Sequence, residues 1–256
     1  MIFAAVAALG ALGVLYLSRP LPEPTIRVAA AADLQFVLDE LIEEFQRQNP
    51  QITVKVSYGS SGSFFAQLSQ RAPFDMFFSA DMDYPKRLRE QGLALAETEF
   101  LYAVGRIVLW GDSSIAVETL GVGAVFEPAV KKIALATPQH APYGRAAEAA
   151  LKAFGVYEAV REKFIFGENV AQAAQFVQAG AAQLGIVALS LALAPPLREH
   201  GRFWEFPIES YPRLEQGGVI LRWARDRASA ELLRAFVLSD QGRMILKHYG
   251  FFLPGE

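Results

Sequence analysis

Four segments of this chain bring small, hydroxyl-bearing or amide-bearing residues to positions where a helix would begin. They are Ala31-Ala32-Asp33, Gly59-Ser60-Ser61-Gly62-Ser63, Glu168-Asn169-Val170, and the run from Thr137 through His140, Ala141, Pro142 and Tyr143 to Gly144. A helix start exposes N–H groups without intrahelical partners and about half a unit of positive charge, so it can hold an oxyanion without a cationic side chain. Each segment also has a purely structural reading, because Ser and Asn are favoured helix caps. The Ser-rich turn exceeds what a cap requires: Gly59 and Gly62 permit close backbone approach, and its hydroxyls offer more donors than one cap consumes. Together the four segments point to binding of a small anion.

Catalytic chemistry finds less support. His140, His200 and His248 lie far apart with no ligand spacing, so a zinc site is not expected. Asp75 and Asp81 flank an apolar run and are read as fixing loops by hydrogen bonds rather than as an acid and base pair. Ser61, His140 and Asp81 supply the residue types of a hydrolase triad, but no Gly-x-Ser-x-Gly elbow surrounds the serine. Phe64, Phe77 and Phe78 are expected in the core. The absence of cysteine removes disulfides, thiolate metal sites, a cysteine nucleophile and a lipoprotein acylation site at once. A net charge of -3, with acids and bases mixed along the chain, leaves no basic stripe for a nucleic acid.

These segments must be carried by regular elements. With 256 residues, 52% hydrophobic and 20% charged, the chain can bury one large core or two modest ones. From Ile26 onward short apolar runs alternate with helical periods, the pattern of an α/β fold with parallel sheets covered by helices. Strands are expected at Ile26 to Ala31, Ile52 to Ser57, Phe74 to Ser79, Lys132 to Thr137, Lys163 to Phe166 and Leu184 to Ala188. Helices are expected at Asp33 to Gln48, after Gly62, near Tyr84 to Gln91, at Tyr143 to Phe154, at Val170 to Ala179 and at Ala228 to His248. Tyr102 to Trp110 and Gly218 to Trp223 read as two long strands joining the halves. One αβ set interrupted by another predicts two lobes crossed twice by the chain: residues 25–104 plus 218–256, and residues 105–217. Ile2 to Leu17 carry no charge and precede Pro20, Pro22 and Pro24. Residues 1–24 therefore read as a membrane-targeting segment with a stiff spacer: a cleaved signal, a retained anchor or the product of a mis-chosen start codon.

The order of motifs resembles the periplasmic molybdate-binding proteins of ABC importers. The matching pieces are Val28 to Leu34, Ser57 to Gly62, Pro73 to Asp81, Thr137 to Gly144, Glu168 to Val170, Leu184 to Val187 and Tyr249-Gly250-Phe251. The resemblance implies a two-lobed type II periplasmic-binding-protein fold, in which each lobe is a mostly parallel sheet flanked by helices and two hinge strands join them. It implies no enzymatic activity, no cofactor, and a molybdate or tungstate ligand held in the cleft by neutral donors. Carried over by position, Ser61 would give its hydroxyl and N–H, Val170 its N–H, and Tyr143 its N–H and its phenol, while Ala32 and Asp33 would add donors from the first lobe. The implied partners are an ABC permease and its ATPase. The implied setting is the periplasm or the outer face of the cytoplasmic membrane, with the chain acting as a monomer.

Two positions depart from the family pattern. Ala188 stands near where many members carry a tyrosine, and Tyr143 is the natural substitute donor. Asp33 stands where members commonly place Ser, Thr or Asn, and a carboxylate about 4 Å from a dianion opposes it by several kcal/mol even at an effective dielectric of about 20. Either the carboxylate turns away and caps the helix Leu34 to Gln48, the favoured account, or it accepts a hydrogen bond from a protonated, phosphate-like oxyanion. Rival functions are a phosphate-ester hydrolase, which would need a metal cluster or activated nucleophile, and a ligand-sensing domain, which would ordinarily bring an attached signalling module.

Overall fold

The computed structural model describes residues 24–256. The apolar segment read at 1–24 lies, apart from Pro24, outside the described residues, and among those residues no helix is long and apolar enough to cross a membrane.

The β-branched and small residues of β1 (Thr25–Ala31) form a central strand, paired in parallel with β2 (Thr53–Gly59) and β3 (Met76–Ser79). Helices α1 (Gln35–Gln48), α2 (Ser61–Ser69) and α3 (Asp83–Glu90) follow the three strands in turn. In α1 the buried set is Val37, Leu38, Leu41, Ile42 and Phe45, one face at helical spacing. That face packs with Ile26, Val28, Met76 and Phe78 of the sheet in one cluster. Each such aliphatic or aromatic side chain contributes about 1.5–3 kcal/mol on leaving water. Phe64, Phe77 and Phe78 are buried as expected.

After β4 (Phe100–Gly105) the chain crosses to a second sheet, built from β5 (Ile107–Asp112), β6 (Ile133–Ala136), β7 (Phe164–Gly167), β8 (Leu184–Ala188) and β9 (Gly201–Glu205). Helices α4 (Pro142–Ala153), α5 (Val170–Gln178) and α6 (Leu189–Leu193) cover it. The chain returns through β10 (Leu214–Ile220) and ends in α7 (Arg227–Leu238) and α8 (Asp240–His248). Strand orders are β2-β1-β3-β10-β4 and β7-β6-β8-β5-β9. In each sheet the fourth place is held by the strand that follows a crossing, and it runs antiparallel to both neighbours. One topology therefore occurs twice, and the two-lobed α/β expectation holds.

Three local expectations are corrected. The run Tyr102 to Trp110 is two strands in different sheets, parted at Arg106. Its guanidinium binds Gly250 O and Glu205 at 2.9 Å each and stacks over Phe252. The apolar residues on either side are buried in separate cores, so hydrophobic continuity in sequence concealed the crossing. The return strand begins at Leu214 rather than Gly218, with Leu214 opposite Gly105 and Gln216 opposite Ala103. Residues 214–217, assigned to the second lobe, thus belong to the first sheet, as does Gly105. Glu215, Gln216 and the glycine pair interrupt the apolar run and hide the start of the strand. The final helical period is broken at Ser239, whose hydroxyl accepts from Gly242 N at 3.2 Å and caps α8. Edge strand β9 was not foreseen.

The lobes are closed on one another. Ala31, Ala32 and Ala80 of the first lobe belong to the buried cluster built mainly by the second.

Candidate functional site

Between the lobes lies a small, tight cavity. All five residues singled out from the sequence, Ala32, Asp33, Ser61, Tyr143 and Val170, line it, together with neighbours from the same turns. The starts of α2, α4 and α5 therefore converge on one space from both halves of the molecule. Their first-turn N–H groups cannot find intrahelical partners.

The capping and binding readings of the Ser-rich turn are divided between adjacent residues. Ser60 is the cap of α2, its hydroxyl accepting from Ser63 N at 3.2 Å. Ser61, 1% exposed, instead accepts from Ala80 N at 3.0 Å. Because its lone pair is engaged by that amide, its own proton remains available to donate. Asn169 caps α5 by accepting from Gln172 N at 3.0 Å, the bland role expected of it, which leaves Val170 as the first helical residue at the cavity. In α4, Pro142 occupies the first turn and no side chain caps the helix.

Asp33 departs from the favoured account. It does not cap α1, which begins at Gln35 after a 3-10 turn, Ala32–Leu34, that has no side-chain cap. Its carboxylate reaches across the interface instead. Oδ2 accepts from the Tyr143 hydroxyl at 3.0 Å and from Gln216 Nε2 at 2.7 Å, while Oδ1 is buried without a partner. Gln216 Nε2 also donates to the Tyr143 hydroxyl at 2.9 Å, and the Tyr102 hydroxyl lies 3.1 Å from Gln216 Oε1. Burial pushes the Asp33 carboxyl up to about 6, against the opposing pull of the Gln216 and Tyr143 hydrogen bonds. Burial, reinforced by the adjacent Asp33 charge, raises the Tyr143 hydroxyl well above its ordinary value. The Tyr143 phenol, expected as a substitute donor to the anion, is thus committed to Asp33. Gly105 makes room for this cluster, since a Cβ there would stand 2.3 Å from the Tyr143 hydroxyl.

Other contacts hold the lobes together around the cavity. Gly62 N donates to His140 O at 2.9 Å, and the Ser190 hydroxyl donates to Asp33 O at 2.7 Å. Arg145 of α4 pairs with Asp81 beside β3. Asp75 ties strand β1 to the turn after β10, accepting from Arg27 N at 2.8 Å and Arg225 N at 3.0 Å. Sequence reasoning missed Gln216, Tyr102, Ser190 and Ala80. Nothing local in the sequence marked Gln216, a wholly buried polar residue beside Glu215 and two glycines in β10.

Residues 26–252 match the family model of the bacterial extracellular solute-binding proteins. The chain belongs to that family. As an extracellular solute-binding protein it binds a solute rather than transforming one, which sets aside the hydrolase alternative. Among its relatives in the family, the molybdate-binding protein of Azotobacter vinelandii is 34% identical over 248 residues, spanning 97% of this chain and 96% of the relative. That of Rhodobacter capsulatus is 35% identical over 199 residues, 78% of this chain and 77% of the relative. The solved structure of the Azotobacter vinelandii periplasmic molybdate-binding protein superposes with a TM-score of 0.83 at 31% identity, covering 90% of this chain and 99% of that one.

Proposed function

We propose that this solute-binding protein captures molybdate or tungstate outside the cytoplasmic membrane and presents it to an ABC permease driven by an ATPase. The observation that carries the reading is the convergence of three helix starts, from both lobes, on one small cavity. Neutral donors suit a tetrahedral dianion there: the Ser61 hydroxyl and the N–H groups of Ser61, Tyr143 and Val170, with Ala32 and Asp33 completing the first-lobe wall. A space this tight suits an inorganic oxyanion better than an organic ester. The relatives named for molybdate support the same ligand.

Because donors come from both lobes, ligand binding and closure are one event, and the closed state is the one a permease would recognise. Sulfate, equal in charge and shape, is excluded by cavity size, since its shorter bonds leave some donors out of reach. The chain works as a monomer, exported or anchored by the apolar run Ile2 to Leu17. Isothermal titration of the full-length chain with molybdate, tungstate, sulfate and phosphate tests the assignment. Heat is expected with the first two. Heat with sulfate or phosphate and none with molybdate or tungstate rejects it.

A further inference from the structure

We propose that Asp33 is a specificity-determining residue that carries a proton on Oδ1 when a dianion fills the cavity, so that each molybdate bound takes up one proton from solvent. The inference rests on the oxyanion reading above and deepens it.

The geometry of the carboxyl is lopsided. Oδ2 accepts two hydrogen bonds, from Tyr143 and Gln216, whereas Oδ1 is buried and has none. That is the environment of a carboxylic acid whose carbonyl oxygen is Oδ2 and whose hydroxyl is Oδ1. Asp33 lines the cavity and is 1% exposed, so neither water nor salt screens it from an occupant. The groups that face it are neutral: Tyr143 from α4, Tyr102 from β4, Gln216 from β10, Ser190 from α6 and Asn169 before α5. Asp39, on the adjoining α1, is held by the Tyr58 hydroxyl at 2.5 Å. Among the described residues no Lys, Arg or His is bonded to Asp33, so no cation offsets its charge.

An ionised Asp33 beside a dianion would gather three negative charges in a closed space. The proton resolves the conflict. It is transferred from the buffer to Oδ1, no bond of the oxyanion breaks, and the new O–H donates to an oxyanion oxygen where a carboxylate could only repel it. Burial, net of the Gln216 and Tyr143 hydrogen bonds, already raises the carboxyl to about 6, and an adjacent dianion drives it further in the same direction. A chain with Asn at this position would supply an N–H donor with no proton uptake, so the choice between Asp and Asn sets whether capture depends on pH.

Titration of the full-length chain with sodium molybdate at pH about 7.5, in Tris and in tricine, which differ in ionisation enthalpy, reads the proton count directly. About one proton is expected per anion, with Kd weakening about tenfold per pH unit from about 7 to about 8.5. Asp33→Asn is expected to abolish the uptake and the pH dependence and to bind at least about tenfold tighter than the parent at pH about 8.5. Molybdate binding by the parent with equal heats in both buffers and a flat pH profile overturns the inference and leaves the proposed function standing. That comparison needs only the parent chain, so it decides the matter even if the variant fails to fold. Binding of neither molybdate nor tungstate at any pH from about 5.5 to about 8.5 overturns the proposed function and this inference with it.

Discussion

Asp33 concentrates the tension between folding and binding in one side chain. Its folded value of about 6 lies above the ordinary carboxylate value of 3.8, so the folded chain holds this proton more tightly than the unfolded chain does. The group is therefore least costly below pH about 4. The cost grows as pH rises to about 6 and then levels off at about 3 kcal/mol, from 1.36 kcal/mol per unit. In the ligand-free chain, Asp33→Asn is expected to raise stability at pH about 7 by up to that amount and to give little gain at pH about 4, as read by urea unfolding at the two pH values. An equal gain at both would show that burial of the charge is not the cause. Ser61→Ala makes the complementary case. It removes the hydroxyl that Ala80 N orients and is expected to weaken molybdate binding by about 10- to 100-fold, the range for a hydrogen bond to a charged group. Unaltered affinity would place the anion elsewhere. Ser61 was legible because the turn holds more hydroxyls beside glycines than one helix cap consumes. Gln216 was not legible, because its significance comes from two partners 73 and 183 residues away in sequence.

The working elements are helix starts, and their value depends on how closely two of them approach. Gly62 in the first turn of α2 donates to His140 O just ahead of α4, and a Cβ at Gly62 would stand 2.6 Å from that carbonyl. Gly62→Ala is expected to hold the lobes apart at this contact. Molybdate affinity should fall by about tenfold or more, and retention of full affinity would remove this contact from the closing motion. Most helices and parallel strands were readable from periodicity, since each element has its own buried face. The failures fell where one hydrophobic run served two cores, at Arg106, and where a strand is rich in Gly and polar residues, at Leu214 to Gly218.

For the molecule as a whole, closure brings together surfaces of unequal worth. The Arg145 and Asp81 pair bridges the lobes but is partly exposed, with side-chain exposures of 41% and 25%. Such pairs contribute about 0–1 kcal/mol. Arg145→Ala is accordingly expected to weaken molybdate binding by no more than about fivefold at moderate salt, well below the effect of Ser61→Ala. A loss as large as that of the serine variant, measured by the same titration, would make the ion pair rather than the cavity donors the main lock on the closed state.

By itself the sequence determined the alternation of strands and helices, the two-lobed plan and the helix starts that meet at the cavity, because periodicity and capping chemistry are local and each leaves its mark within a few residues. Only the tertiary structure decided where the chain crosses between sheets, that Ser60 caps while Ser61 accepts from Ala80 N, and that Asp33 reaches over to Tyr143 and Gln216 instead of capping its own helix. Those outcomes depend on partners brought close by packing across the interface. A carboxylate with no cation beside it goes to whatever donors the closed lobes provide.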